Sequence, residues 1–230
     1  FTNAVVEARG LAPTAAIRLA LPATTALPPL VDWPDRLRQA IEGQVYLCHG
    51  GHAFDGRTIS DLDHDELRRV ASEAADRGVR SGAITSVLAR INAEMEVQAA
   101  DVIQREAPEV LVSLSSEVGR VGLLERENAV VMNACLRPLA ATIVHAFRTA
   151  IAALGIDAPL YISQNDGTLM SAEYTEQYPV ATFASGPTNS MRGAAFLSDV
   201  QDAAVVDVGG TTADIGMLVA GFPREASVAV

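Results

Sequence analysis

Residues 205–219, VVDVGGTTADIGMLV, constrain the fold more than any other stretch of this chain. The segment opens with an apolar, β-branched run, breaks at Gly209 and Gly210, and resumes as alternating small, polar and apolar residues. This pattern predicts two strands of a hairpin joined by a tight turn. Because the two glycines lack Cβ, the turn can adopt positive φ and its amides can approach a ligand closely.

The polar groups around this turn indicate what it could bind. Consecutive amides at Gly209 and Gly210 form a concave anion site, and the hydroxyls of Thr211 and Thr212 add donors. Asp207 and Asp214 flank the turn, where carboxylates can hold a hard cation or orient a water molecule. Together these groups predict a Mg²⁺–nucleotide site. The alternative is a plain β-hairpin whose acidic residues cap its turn.

The whole string, with an aspartate at each end, resembles the phosphate motif of the actin, hexokinase and Hsp70 superfamily. It differs from the Walker type, which needs Gly-x4-Gly-Lys followed by Ser or Thr. The sequence contains no lysine. A lysine-dependent phosphate loop and a Schiff-base mechanism are therefore excluded within these residues.

Composition narrows the class of protein further. The 230 residues are 49% hydrophobic and 20% charged, which is typical of a folded globular protein. A net charge of −11 argues against a nucleic-acid partner. Cys48 and Cys135 lie far apart without a CxxC motif, so we expect buried, reduced thiols in a cytoplasmic protein. No apolar run reaches the roughly 18 residues that span a bilayer, so no membrane association is expected.

Strand and helix patterns alternate along the first half of the chain, which predicts an α/β fold with a parallel sheet. Charged residues on the second helix of this region, among them Glu94, Glu96 and Asp101, are predicted to be solvated. The later chain is predicted to hold a helical pair, broken at Pro138, in residues 123–154. The predicted strands are 15–19, 44–48, 83–87, 110–114, 160–163 and 180–184, and the other main helices are 61–77, 92–107 and 189–197.

Three further segments have two interpretations each. His49 and His52, with Asp55 and Asp61 nearby, could form a metal site, but a structural or substrate-binding loop is favoured because a third ligand at fixed spacing is missing. Residues 125–128 (EREN) form either a charged first helical turn or part of a cleft. Residues 164–168 (QNDGT) follow a predicted strand, where ligands bind in open α/β sheets, but they also fit a common turn.

Several strings together resemble the hydantoinase A/oxoprolinase family, and the match is closest to its hydantoin utilisation protein A branch. They cover the chain nearly end to end in the family's order, and QNDGTLM and DVGGTT are the most specific. The strings are residues 1–7 (FTNAVVE), 122–129 (GLLERENA), 164–170 (QNDGTLM), 185–190 (SGPTNS), 207–216 (DVGGTTADIG) and 221–225 (GFPRE).

The resemblance implies a ribonuclease H-like, actin-like ATPase lobe with mixed sheets flanked by helices, as a fragment of a larger two-lobed protein. Family members carry an earlier phosphate motif before the Thr-Asn-Ala segment with which this chain begins. The motif at Asp207 would therefore be the second phosphate loop. Residues 1–200 would hold the rest of the first lobe with its connecting helix, and 201–230 the first hairpin of the second.

The resemblance also implies ATP-dependent opening of a cyclic amide, such as a hydantoin or oxoproline ring, after phosphoryl transfer to the amide oxygen. The glycine pair with Thr211 and Thr212 would bind the β- and γ-phosphates. Asp207 and Asp214 would hold Mg²⁺ or orient the nucleophile.

The same resemblance suggests Gln164 and Asn165 as substrate contacts and Asp166 as a further catalytic residue. A hydantoinase B-type subunit is the expected partner, and the fragment alone is expected to be inactive. The alternatives are a non-catalytic scaffold lobe for that subunit, a small-molecule kinase and an acetone carboxylase β-type subunit.

Overall fold

The computed structural model describes residues 1–210 and 213–224. The predicted phosphate-binding residues Thr211 and Thr212 lie outside them, as do residues 225–230. The helices are α1 (Thr2–Glu7), α2 (Asp35–Ala40), α3 (His64–Asp76), α4 (Glu94–Glu106), α5 (Ser115–Val118), α6 (Leu123–Ala153), α7 (Ala172–Gln177) and α8 (Ser185–Ser198). The strands are β1 (Thr14–Leu21), β2 (Gln44–His49), β3 (Ser81–Ser86), β4 (Leu111–Leu114), β5 (Tyr161–Ser163), β6 (Leu169–Ser171), β7 (Ala203–Val208), β8 (Ala213–Val219) and β9 (Phe222–Pro223).

A parallel sheet with strand order β2-β1-β3-β4 organises the compact unit Asn3–Ile143. Each adjacent pair is parallel, with Ile17 of β1 aligned to Tyr46 of β2 and to Ile84 of β3. The predicted alternation of strands and helices and the predicted α/β class are therefore confirmed. The helix α3 begins where Asp63 accepts a hydrogen bond from the N–H of Glu66, as expected for an N-cap.

Side chains of β1 alternate between two different environments. Ile17 and Leu19 join the apolar core formed with α3 and α4. Arg18 points to the other face, where it bonds Glu127 of α6. On the same face Asn133 of α6 donates to Ser113 Oγ of β4 (3.1 Å). The sheet is thus covered on both faces by helices, as parallel sheets usually are.

The helix α6 runs without interruption through Pro138, so the predicted helical pair is wrong. A proline in a helix interior costs about 3 kcal/mol because one hydrogen bond is lost and its ring crowds the preceding turn. Fully buried residues lie on both sides of it, including Cys135 and Leu136 before it and Ala140 and Val144 after it. Burial of both halves keeps the helix continuous.

By length and composition α6 is the one helix among the described residues that could cross a membrane. The same properties occur in core helices. Val130, Val131, Ala134 and Leu136 of α6 are fully buried, as in a core helix.

The segment that connects β1 and α2 is not an extended chain. It contains turns, and Trp33 is buried within it. The indole N–H of Trp33 donates to Asn128 Oδ1 of α6 (2.8 Å). Trp33 therefore links this connection to the helical layer.

The second compact unit combines Phe1–Thr2 with Val144–Val230, so the boundary between units falls inside α6. Its described residues include a β5-β6 hairpin, the helix α8 and a β7-β8-β9 antiparallel sheet. The predicted strand at 180–184 is wrong, because Pro179–Thr182 forms a 3-10 helix. Pro179 presets its first φ, and Thr182 Oγ1 closes the turn on the Pro179 carbonyl (2.7 Å). The lobe boundary after residue 200 concerns a longer protein and stays a prediction.

Candidate nucleotide-phosphate site

The predicted hairpin is present, and its register brings the two acidic residues together. Strands β7 and β8 are antiparallel, and Asp207 is the direct partner of Asp214. Directly opposite residues share one face of a sheet, with Cβ atoms roughly 4.5–5.5 Å apart. The two aspartates are seven residues apart in the chain but lie opposite each other at the end of the hairpin.

The pairing of two carboxylates is unfavourable without a cation. Like charges directly opposite each other destabilise a sheet. Among the described residues, no salt bridge or hydrogen bond involves either carboxylate. Aspartate oxygens are suitable ligands for Mg²⁺, which is usually held by one or two carboxylates together with water and phosphate oxygens. The donor set therefore fits that ion, and Asp207 and Asp214 are the residues that would hold it.

The glycine turn leaves space beside these carboxylates. A Cβ added at Gly210 would meet nothing within 4 Å, so Gly210 is not packed against another element in the described structure. Open backbone amides next to paired carboxylates can contact both phosphate oxygens and their counter-ion. The sequence prediction of a phosphate turn is compatible with this geometry.

The helix α8 packs against the same face of the hairpin that carries the aspartates. A Cβ on Gly216, two residues after Asp214, would overlap the side chain of Met191 in α8. At the other end, Arg192 donates to the Gly221 carbonyl and its guanidinium lies 4.1 Å from the Phe222 ring centroid. These contacts fix the hairpin on the helix.

The loop of residues 164–168 forms the turn of the β5-β6 hairpin and also rests on α8. Asp166 Oδ1 accepts from the N–H (2.9 Å) and hydroxyl (2.7 Å) of Thr168, so this carboxylate organises its own turn. Asn189 of α8 donates to Ser163 Oγ (3.0 Å). Gln164 Nε2 donates to Thr168 Oγ1 (3.1 Å).

Among the described residues, no hydrogen bond or ion pair joins this loop to Asp207 or Asp214. Asn165 donates its backbone N–H to the Ala181 carbonyl (2.8 Å), and a Cβ on Gly167 would lie 3.0 Å from Cγ of Arg192. A Cβ on Gly167 would also lie 3.3 Å from Cδ of Pro223, so the loop lies against both α8 and β9. The roles of the loop residues as substrate and catalytic residues stay predictions.

The histidine loop after β2 separates its two histidines. Nδ1 of His49 lies 3.2 Å from Glu66 Oε2, and ligand atoms of His49, Asp63 and Glu66 all lie within 4.8 Å of one another. The carboxylates already have structural roles, because Asp63 caps α3 and Glu66 accepts the N–H of His49. The bond from the Glu66 N–H holds the pKa of Asp63 below its usual value.

The other members of the predicted metal group lie elsewhere. His52 is buried near β3, while Asp55 pairs with Arg57 (2.7 Å). Asp61 lines a surface pocket with His49 and Asp63. The four predicted ligands therefore do not form one group.

A buried polar network near the ends of β3 and β4 was missed by sequence reasoning. Glu96, predicted to be solvated, is fully buried and accepts from the N–H groups of Ser86 (2.7 Å) and Ser116 (2.9 Å). Arg126 donates to Ser115 Oγ (2.9 Å) and to the Ser86 carbonyl (2.6 Å). Burial lowers the pKa of the Arg126 guanidinium.

The missed network includes part of residues 125–128, which were predicted to form either a charged first turn or part of a cleft. Arg126 and Glu127 are buried rather than part of a solvated first turn. Charged residues are rarely fully buried unless they are paired. Arg18, the partner of Glu127, and Ser86, one partner of Arg126, are far away in the chain, so this pairing could not be seen from local pattern.

Two models of the same protein family match the sequence of this chain. The hydantoinase/oxoprolinase N-terminal region matches residues 1–107, and the hydantoinase/oxoprolinase model matches residues 126–229. The chain belongs to the hydantoinase/oxoprolinase family. The resemblance drawn from its motifs is thus confirmed.

Individual relatives of this family member are distant. An uncharacterised protein, MJ0964 of Methanocaldococcus jannaschii, is 26% identical over 173 residues, covering 74% of this chain and 25% of that protein. An ATP-dependent caprolactamase from Pseudomonas jessenii is similar in fold, with a TM-score of 0.75 and 22% identity over 94% of this chain and 33% of that chain. An acetone carboxylase in a nucleotide-free structure gives a TM-score of 0.70 and 18% identity over 96% of this chain and 34% of that chain.

These coverages show that the family member described here spans about a quarter to a third of the length of these relatives. They also confirm the predicted α/β fold, with a parallel sheet flanked by helices, as part of a larger protein.

Proposed function

We propose that this chain is part of an ATP-dependent enzyme that opens a cyclic amide, with the β7-β8 turn as its phosphate-binding element. The observation that carries the proposal is the direct pairing of Asp207 with Asp214 beside a glycine turn. A structural hairpin gains nothing from two opposed carboxylates without a cation between them. A Mg²⁺–triphosphate tail supplies the positive charge and the acceptor oxygens that this arrangement requires.

The exposed face of the same hairpin supports the assignment to a larger protein. Its residues are apolar, and Val208 and Ile215 are 76% and 75% exposed. Contiguous apolar surface of this kind is normally covered by protein. The family's longer members would supply that cover, and this agrees with the fraction of their length that the chain spans.

The proposed chemistry activates a poor electrophile. The γ-phosphoryl group moves from ATP to the amide oxygen, so that a P–O bond forms, ADP leaves and the carbonyl carbon becomes more electrophilic. Water adds to this carbon, the ring C–N bond breaks and the nitrogen leaves as an amine. A second water molecule releases phosphate from the resulting acyl phosphate. Mg²⁺ held by Asp207 and Asp214 would neutralise charge on the transferring phosphoryl group, and binding of both reactants would align the reacting atoms.

In this proposal the residues have distinct tasks. Gly209 and Gly210, with Thr211 and Thr212, bind the β- and γ-phosphates. Asp207 and Asp214 hold Mg²⁺ through water or orient the attacking water. The loop of residues 164–168, through Gln164, Asn165 and Asp166, contacts the ring substrate. A hydantoinase B-type subunit is the proposed partner, and the cytoplasm is the proposed location.

Product analysis tests the proposal against its closest alternative. The full-length protein, with and without its partner subunit, is incubated with ATP and a panel of hydantoin, 5-oxoproline and ε-caprolactam. Ring opening accompanied by stoichiometric free phosphate is expected for one of them. A stable phosphorylated product would instead identify a small-molecule kinase. ATP cleavage unchanged by every ring compound, without ring opening, would contradict the proposal and favour a scaffold.

Carboxylation of a ketone is a separate outcome of the same panel. Acetone with bicarbonate is added because one solved structure of similar fold is described as an acetone carboxylase. Ketone-dependent phosphate release without lactam opening would replace the cyclic-amide proposal by the acetone carboxylase β-type alternative.

A further inference from the structure

We propose that His49, Asp63 and Glu66 bind a divalent transition-metal ion of the Zn²⁺ type where β2 ends and α3 begins. The ligand atoms of these three residues all lie within 4.8 Å of one another. The group shares only His49 with the metal ligands predicted from the sequence. It lies in the unit Asn3–Ile143, which does not contain the phosphate hairpin, and the proposal is independent of the proposed function.

The backbone that carries these ligands is held by the apolar core. Cys48, just before His49, and Leu67, just after Glu66, are both fully buried in the same core cluster. Asp63 is the N-cap of α3, and its Oδ1 accepts the N–H of Glu66 (2.9 Å). Ligands carried by packed strands and helices are positioned more precisely than ligands on free loops. The three residues meet this requirement.

The direction of the Glu66 side chain is the observation that favours an ion. Glu66 is the third residue of α3, where a glutamate often reaches back to the N–H of the N-cap residue. Here its Oε2 instead accepts the N–H of His49 at the end of β2 (2.8 Å) and lies 3.2 Å from Nδ1 of the same histidine. Helix capping therefore accounts for Asp63 but not for a carboxylate that faces the imidazole, which is an arrangement that a metal ion needs.

The separation of these two groups suits a shared ion. Ligand atoms that lie about 2.0–2.2 Å from Zn²⁺ are roughly 3.3–3.6 Å apart in a tetrahedral site. The 3.2 Å between Nδ1 of His49 and Oε2 of Glu66 is close to this value. The side chains of His49 and Asp63 are exposed, so both can rotate towards the ion without a change in the backbone. A carboxylate has about four lone-pair sites, so the hydrogen bonds that orient Asp63 and Glu66 leave others for the ion.

The types of ligand select the class of metal. Two carboxylates balance the charge of a divalent ion, and a neutral imidazole nitrogen favours Zn²⁺, Cu²⁺, Fe²⁺ or Ni²⁺ over Mg²⁺ and Ca²⁺. Three protein ligands leave a fourth position for water in a tetrahedral site. His49 and Asp63 line a surface pocket of about 750 Å³, so that position can be reached from solvent.

The test measures Zn²⁺ binding by the full-length protein after treatment with EDTA and without nucleotide. Equilibrium dialysis gives the number of bound ions per chain and their affinity. Asp63→Asn removes the anionic ligand but preserves the helix cap, since asparagine and aspartate are comparable N-caps. We expect this variant to bind Zn²⁺ at least about 10-fold more weakly at one site per chain, since even residues that only orient metal ligands contribute 10–100-fold. The same loss is expected for His49→Gln.

Two neighbouring residues provide matched controls. Asp65→Asn removes the same charge from the same turn of α3, but Asp65 lies outside the group and pairs with Arg68. His64→Gln makes the same change as His49→Gln at a residue that lines the same pocket. Both are expected to bind Zn²⁺ as the parent does. Circular dichroism of all four variants is expected to match that of the parent.

Three results would overturn the proposal. Parent-like Zn²⁺ binding by Asp63→Asn or His49→Gln would show that these residues are not ligands. An equal loss in Asp65→Asn would mean that the acidic end of the helix attracts cations without a defined site. Complete displacement of Zn²⁺ by an equal concentration of Mg²⁺ would be incompatible with an imidazole ligand. None of these results involves the aspartate pair of the hairpin, so failure here leaves the proposed function unaffected.

Discussion

Arg18 of β1 and Glu127 of α6 form a buried, two-pronged ion pair across one face of the parallel sheet. Arg18 Nε lies 2.7 Å from Oε2 of Glu127, and Nη2 lies 2.5 Å from Oε1. Their side chains are 0% and 3% exposed. Arg18 also donates to the Leu27 carbonyl. This pair therefore joins the central strand, the connection that follows it and the start of α6.

Removing one member of this pair should destabilise the fold strongly. Glu127→Leu leaves the Arg18 guanidinium buried without a counter-charge, for which about 3–5 kcal/mol is expected. The double variant Arg18→Met, Glu127→Leu removes both charges and is expected to recover most of that loss. Urea unfolding of the parent chain, Glu127→Leu and the double variant measures their free energies of unfolding.

The exposed pair Asp55–Arg57 provides the matched control, since Arg57 is largely solvent-exposed. Asp55→Asn is expected to change the free energy of unfolding by less than about 1 kcal/mol. A double variant as unstable as Glu127→Leu alone would show that the pair itself, and not the unpaired charge, stabilises the fold.

Replacement by alanine should lower the stability of the protein at Gly119 and raise it at Gly193. At Gly119 a Cβ would lie 2.7 Å from the Cα of Arg126, so the backbone must move and stability should fall by about 1–3 kcal/mol. At Gly193, inside α8, a Cβ meets nothing within 4 Å, so Gly193→Ala should add up to about 1 kcal/mol of helix stability. Midpoints of thermal unfolding check both, and equal effects would contradict the packing described around Arg126.

The two cysteines should not react with thiol reagents in the folded protein. Burial raises the pKa of both the Cys48 and the Cys135 thiol to about 12. At pH 8 the reactive thiolate is scarce, so a thiol reagent is expected to label neither until urea is added.

The same shifts predict how stability depends on pH. Above about pH 9 the unfolded thiols lose their protons while the folded ones retain them, so the unfolded state binds fewer protons and stability falls as pH rises towards 12. The loss of stability with rising pH is measured by unfolding curves between pH 8 and 10. The parent chain is compared with Cys48→Ala and Cys135→Ala. Rapid labelling at pH 8 without denaturant would contradict the burial of these thiols.

Asp207 should weaken the hairpin, because it lies directly opposite Asp214. Asp207→Asn removes one of two opposed charges, so the apo hairpin is expected to gain about 0.2–1 kcal/mol. Hydrogen exchange at the amides of Val206 and Ile215, which are direct partners, reports this locally. Slower exchange in the variant is expected. Faster exchange would mean that Asp207 has a structural partner and that its presence does not require a ligand.

The parallel sheet and the hairpin could be predicted because their signals are local. β-branched runs, glycine breaks and helical spacing lie within short windows, and both elements follow them. α6 was mispredicted at Pro138 because burial on both sides, a tertiary effect, outweighs local propensity. The segment at 180–184 was mispredicted because a short apolar run after a proline fits a strand and a tight helical turn equally well.

Sites depend on contacts that a single sequence does not display. The partnership of Asp207 and Asp214 could be predicted because both belong to one hairpin. Glu96 was placed in solvent by helical periodicity, yet it is buried because Ser86, Ser115 and Ser116 converge on it from two other strand ends. His52 was recognised as a loop residue, but its burial became visible once β3 was placed beside the loop.

The central claim is that Asp207 and Asp214 hold the metal-bound phosphate tail, and steady-state ATP cleavage by the full-length protein tests it most directly. With a ring amide present, Asp207→Asn and Asp214→Asn are each expected to lower kcat by at least about 100-fold, as when a group that stabilises transition-state charge is lost. Asp101→Asn, an exposed change on α4, is expected to leave kcat unaltered. Parent-level ATP cleavage by either hairpin variant would contradict the claim.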